Sequence, residues 1–81
     1  MNVYIVDIEF YNWDNSMIDG VYSTLKKAKQ SFTNKYKSFN GKVKLYISPN
    51  GLTYYYELEY EDNGYTQKDN VSYSIKKHKV L

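Results

Sequence analysis

The chain reads as an α+β domain on three observations. Five stretches alternate apolar and polar residues with the period of a strand, one stretch has helical period, and turn formers separate them. The expected architecture is an antiparallel sheet of four or five strands with one helix packed on one face, in the order β-β-α-β-β-β. Residues 1–81 are expected to make a single domain.

Residues 2–10 open the chain as a strand, with Val3, Ile5, Asp7 and Glu9 on one side and Tyr4, Val6, Ile8 and Phe10 on the other. The second side is wholly apolar and should face the core. Residues 11–16 (YNWDNS) are rich in turn formers and read as a loop, with Trp13 folded back over an edge. Residues 17–22 make a second strand hairpinned to the first, and Gly20 within it points to a bulge. Ser23 is a good N-cap for the helix that follows. Leu25, Ala28, Phe32, Tyr36 and Phe39 form its apolar stripe over about four turns. Asn40-Gly41 is expected to close it, with Gly41 taking the left-handed conformation.

The remainder reads as strand. Val43, Leu45 and Ile47 alternate with Lys42, Lys44, Tyr46 and Ser48, and Pro49-Asn50-Gly51 supplies a tight turn. Leu52, Tyr54, Tyr56, Leu58 and Tyr60 then share one face, while Thr53, Tyr55, Glu57 and Glu59 share the other. Asn63-Gly64 marks the next turn, and Val71, Tyr73 and Ile75 alternate with Ser72, Ser74 and Lys76 in a last strand that ends near Val80.

Charge along this pattern comes in blocks. Residues 1–24 carry −4 with no lysine; residues 25–56 carry +7 with no acid; residues 57–69 carry −4 and residues 70–81 carry +3, for a total of +2. A near-neutral sum therefore conceals segregated charge, which bears on partners and steering. On the expected fold the helix lysines project outward and the carboxylates of the first and fourth strands share the open sheet face, giving two poles of opposite sign. Eleven tyrosines favour β structure and contact surfaces, although a genome poor in G and C would enrich Tyr, Lys, Asn and Ile by codon usage alone.

Several chemistries find no footing. There is no cysteine, so neither a thiolate nor a disulfide is available, which fits a reducing cytoplasmic setting. The N-terminus lacks the basic region of a signal peptide, and no apolar run approaches the roughly 20 residues of a membrane span. His78 is the sole histidine and lies among Lys76, Lys77 and Lys79, without a nucleophile or an orienting partner in view. No metal, cofactor or catalytic residue is expected, because one histidine without cysteine makes a poor zinc site and the four glycines stand apart from any phosphate loop. Asp7, Glu9, Glu57 and Glu59 have the chemistry for Mg²⁺ or acid–base work, yet the solvated side of an antiparallel strand explains them more simply.

Two surfaces remain as candidates. The first is an acidic, tyrosine-rich protein contact made of Asp7, Glu9, Tyr54, Tyr55, Tyr56, Glu57, Glu59, Tyr60, Glu61 and Asp62, with a homodimer as one form it can take. The second is a nucleic-acid surface made of Lys26, Lys27, Lys29, Lys35, Lys37, Lys42 and Lys44, with Tyr46 and Tyr55 as stacking rings. The absence of arginine weighs against base-specific reading by that surface.

Gly20-Val21-Tyr22-Ser23-Thr24, continuing into Lys27-Ala28-Lys29, together with Val3-Tyr4-Ile5-Val6, resembles the strand-to-helix junction of small uncharacterised α+β domains of bacteria and their phages. In type, though not in matched residues, the chain is also similar to phage inhibitors of host defence, anti-CRISPR proteins among them. The resemblance implies a non-enzymatic, phage- or mobile-element-encoded inhibitor. It would occlude a host protein that handles nucleic acid, with carboxylates standing in for phosphates. It carries no functional residue over.

Overall fold

The computed structural model describes residues 1–10 and 17–80, so the expected loop over residues 11–16 and the placement of Trp13 lie outside the described residues. The elements are β1 (Asn2–Phe10), β2 (Met17–Tyr22), α1 (Leu25–Thr33), β3 (Lys42–Ile47), β4 (Thr53–Asp62) and β5 (Tyr65–Lys79). The fold is α+β, with one helix and a five-stranded antiparallel sheet in the spatial order β2-β1-β5-β4-β3.

The centre of the sheet is its last strand. At about 3.4 Å per residue, the 15 residues of β5 match the 52 Å long axis of the molecule. β1 pairs with its C-terminal part, from Asn2↔Lys79 to Phe10↔Val71. β4 pairs with its N-terminal part, from Asp62↔Tyr65 to Thr53↔Ser74. Only residues 71–74 have partners on both sides, and Val71 and Tyr73 at that overlap are among the most buried side chains. The stagger explains a radius of gyration of 14.1 Å, against about 12 Å for a compact chain of this length.

Parity assigns the faces. Val6 and Ile8 of β1, Tyr54, Tyr56 and Leu58 of β4, and Val71, Tyr73 and Ile75 of β5 share one face and join Ala28 and Phe32 of α1 in the buried cluster. Phe32 stacks on Tyr73 (centroids 4.6 Å apart, planes 9°) and meets Tyr54 edge-on at 5.0 Å. Tyr36 follows, tilted on Tyr56 at 4.7 Å and sharing a 2.8 Å hydroxyl–hydroxyl hydrogen bond with Tyr73. Phe39 then packs edge-on against Tyr60 at 5.9 Å. Phe32, Tyr36 and Phe39 thus run as an aromatic row along the tyrosines of β4 and β5.

That row corrects the expected helix. α1 stops at Thr33 with Asn34 as C-cap, well before Asn40-Gly41. Thr33 and Asn34 are both poor helix residues, and the chain continues in tight turns closed by Lys35 N–H to Phe32 O and Phe39 N–H to Tyr36 O. Tyr36 and Phe39 reach the core from those turns. The N-cap also moves by one residue: the Thr24 hydroxyl, not Ser23, accepts from the Lys27 amide. Gly41 keeps a strict role for a different reason. Its φ is 158°, and a Cβ there would strike the backbone carbonyl oxygen of Glu59 where the chain enters β3.

The strand ends have local causes. Asn50 Oδ1 accepts from Ser48 Oγ (2.6 Å) and from the Leu52 amide (3.0 Å), fixing the turn between β3 and β4. Asn63 (φ 51°) and Gly64 (φ 82°) take the two positive φ angles that a tight hairpin turn requires. In β2, Val6 pairs with Gly20 but Asp7 pairs with Ile18, so the bulge leaves Asp19 as the extra residue. Among the described residues no helix is long and apolar enough to cross a membrane.

Burial and the bond to Tyr36 push the Tyr73 hydroxyl far above its ordinary value of 10.0, and burial raises Tyr36 and Tyr56 as well. The folded pKa values exceed the unfolded ones, so the protonated tyrosines contribute fully below about pH 10 and that contribution is lost as pH rises further. Stability is therefore expected to fall steeply above pH 10, measured by urea midpoints at stepped pH. Tyr73→Phe should cost about 1 kcal/mol at neutral pH and flatten the alkaline slope; an unchanged slope would contradict the assignment. Gly41→Ala should lower the urea midpoint clearly, and a variant as stable as the wild type would show that the approach to Glu59 is not binding.

Candidate functional site

The register decides what the charge blocks become. Asp7, Glu9, Glu57, Glu59 and Glu61 share the open sheet face, as do Tyr55 and Tyr46. The same face carries Lys42 opposite Glu59, Lys44 opposite Glu57, Lys68 opposite Glu59 and Lys76 beside Asp7. The Lys76–Asp7 pair, at 3.1 Å, is the one ion pair among the described residues. The other lysines are register neighbours of the carboxylates, with Cβ atoms about 5 Å apart. A shallow depression of ≈ 250 Å³ there is walled by Lys42, Lys44, Lys68, Glu57, Glu59, Leu58 and Asn70, with both signs of charge present.

The expected acidic pole is therefore corrected. Antiparallel pairing lays the lysines of β3 and β5 on both sides of the acids of β4, and the open face becomes a ladder of alternating sign. The ten residues of the proposed acidic contact also divide. Tyr54 and Tyr56 are 9% and 3% exposed and belong to the core, so neither can anchor a partner. Tyr60 lies on their face, where its hydroxyl donates to Asp69 (2.9 Å) and its pKa is raised by that carboxylate. Tyr55 is on the open face, tilted against Tyr46 with centroids 6.2 Å apart. Glu61 and Asp62 are exposed towards the tip of the β4–β5 hairpin.

The seven lysines of the nucleic-acid surface divide too. Lys42 and Lys44 lie on the open face against the glutamates, together with the Tyr46–Tyr55 pair. Lys26, Lys27 and Lys29 sit on α1 and Lys35 and Lys37 on the turns after it, on the other side of the sheet. The stacking rings and the helix lysines are thus on opposite sides of the molecule. None of the five is in an ion pair among the described residues, and no acid occurs between residues 25 and 56. Lys35 Nζ hangs 5.8 Å from the centroid of the Tyr73 ring, the outer limit of a cation–π contact. Lys29 leans towards the β3–β4 turn at Gly51.

Two features escaped the sequence reading. One is the exposed apolar side of β3, where Val43, Leu45 and Ile47 are 37%, 44% and 52% exposed. The other is an apolar corner of the open face, where Ile5 pairs with Val21 and Ile18 lies one step on. Among the described residues no group of three or more His, Asp or Glu is placed to hold a metal ion.

The ladder is testable by a double-mutant cycle. Lys44→Glu sets an acid opposite Glu57 and should destabilise the fold, Glu57→Lys should do likewise, and the two together should recover much of the loss. The coupling should be about 0.2–1 kcal/mol by urea unfolding; additive losses would remove the cross-strand account.

A scan against protein-family models finds no match to this chain, and searches of curated proteins and of solved structures find none either.

Proposed function

We propose that the protein is a non-enzymatic binding protein whose basic helical layer engages nucleic acid through its phosphates. The observation that carries this reading is the contrast between the two charged surfaces. Asp7, Glu57 and Glu59 of the open face stand beside lysines, whereas Lys26, Lys27, Lys29, Lys35 and Lys37 are in no ion pair among the described residues. Uncompensated lysines attract a polyanion and release its counterions on contact. Lysine ammonium groups without arginine forks suit phosphate contact rather than base reading, so binding should be indifferent to sequence.

The second reading is an inhibitor, phage- or mobile-element-encoded and acting in the host cytoplasm, that occludes a protein handling nucleic acid. It retains one supporting observation, the exposed carboxylates Glu61, Asp62 and Asp69 near the β4–β5 hairpin tip.

A salt titration on a mixed-sequence duplex separates the two. With five lysines engaged, the slope of log K against log salt should approach about −4.5. Lys26/Lys27/Lys29→Glu should abolish retention, whereas Glu61/Asp62→Lys should leave it intact or strengthen it. No retention of DNA or RNA at low salt would overturn the first reading.

A further inference from the structure

We propose that β3 is a self-association edge, pairing antiparallel with β3 of a second copy about Leu45 to form a continuous ten-stranded sheet. The edge is open in three ways. β3 ends the sheet beyond β4, every one of its six residues is exposed, and its register with β4 is unbroken from Lys42 to Ile47. The opposite edge, β2, is blunted by its bulge at Asp19, a common device against strand addition.

The backbone of β3 shows which groups are free. The Ser48 amide donates to the Thr53 carbonyl at 2.9 Å, so the position before β3's turn is a hydrogen-bonded pair with β4. Antiparallel ladders alternate. Lys42, Lys44 and Tyr46 therefore direct their peptide groups to β4, and Val43, Leu45 and Ile47 direct theirs outward. The residues with free amides and carbonyls are the same ones that carry the exposed apolar row.

Charge then selects the occupant and the register. Lysines on an edge normally repel another strand, and here most alignments of two β3 strands fail on them. Centring on Lys44 sets Lys44 against itself, and centring on Val43 sets Lys42 against Lys44. A one-residue slip puts apolar side chains beside lysines. Centring on Tyr46 leaves Val43 facing Pro49. Centring on Leu45 avoids all of these. It sets Leu45 against Leu45, Val43 against Ile47, Lys42 against Ser48 and Lys44 against Tyr46. Each Lys44 then lies between its own Glu57 and the tilted Tyr46–Tyr55 pair of the second copy, where an ammonium is favoured. The strand is thus complementary to itself, as a twofold interface requires. The twofold axis runs perpendicular to the sheet, so both α1 layers lie on the same side. This inference does not depend on nucleic-acid binding.

The test needs no ligand. Sedimentation of the full chain across a wide concentration range should show a reversible dimer, and Leu45→Lys should be monomeric with an unchanged circular dichroism spectrum. The chain has no cysteine, so single cysteines report the register directly. Opposed residues of a hydrogen-bonded pair have Cα atoms about 5.5 Å apart, within disulfide range. Leu45→Cys should oxidise to a covalent dimer several times faster than Val43→Cys. A wild type that stays monomeric throughout would leave the edge to a foreign strand and overturn the proposal. Open-ended polymers, or equal rates for the two cysteine variants, would overturn it as well.

Discussion

The stack of Phe32 on Tyr73, closed by the Tyr36–Tyr73 hydroxyl bond, is the contact on which the rest of the molecule depends. Tyr73 lies where β5 has neighbours on both sides, so its ring is the middle of the sheet and the floor for the helix. Aromatic rings bury large areas and add directional preference to burial. Seven rings, Phe32, Tyr36, Phe39, Tyr54, Tyr56, Tyr60 and Tyr73, form one connected chain of contacts through this region. A short chain has a thin core, and wide flat rings are an economical way to fill it. The placement of Tyr36, Tyr54, Tyr56 and Tyr73 therefore has a packing cause, whatever codon usage contributes to their number.

The side taken by the helix has consequences for charge. With Phe32, Tyr36 and Phe39 directed at β4 and β5, Lys26, Lys27, Lys35 and Lys37 remain exposed on the far side of that layer. By parity Asp62, Asp69, Lys77 and Lys79 lie on the helical side, while on the open face β3, β4 and β5 interleave lysines with glutamates. One surface is thereby left with unbalanced sign and the other is nearly neutralised. The segregation that is so plain along the chain survives folding only on the helical side.

Much of the fold was legible from the chain. Alternation gave the inward residues of β1 and sorted those of β4 and β5 into two faces, because parity within a strand is local. The capped start of the helix was legible to within one residue for the same reason. Its end was not, because the stripe through Tyr36 and Phe39 is met equally by a helix and by the tight turns that replace it after Thr33. Nor did alternation say which face of β4 the helix covers, so Tyr54 and Tyr56 were read as contact residues although they are core. Strand order was also hidden, since nothing local says that β5 inserts between β1 and β4. That insertion decides the site: it brings Lys68 and Lys76 beside Glu59 and Asp7, and so dissolves the acidic pole. Exposure of β3 follows from the same order, which sets it last, beyond the reach of α1.

The position of Phe32 over Tyr73 decides which side of the sheet carries the helix lysines, and nuclear Overhauser contacts in the aromatic region measure it directly. The stacked geometry predicts strong cross-peaks between the Phe32 and Tyr73 rings, weaker ones from Phe32 to Tyr54, and a ring-current-shifted Tyr73. Cross-peaks from Phe32 to open-face residues such as Tyr55 or Ser72, with none to Tyr73, would place the helix on the other side of the sheet and contradict the arrangement of both charged surfaces.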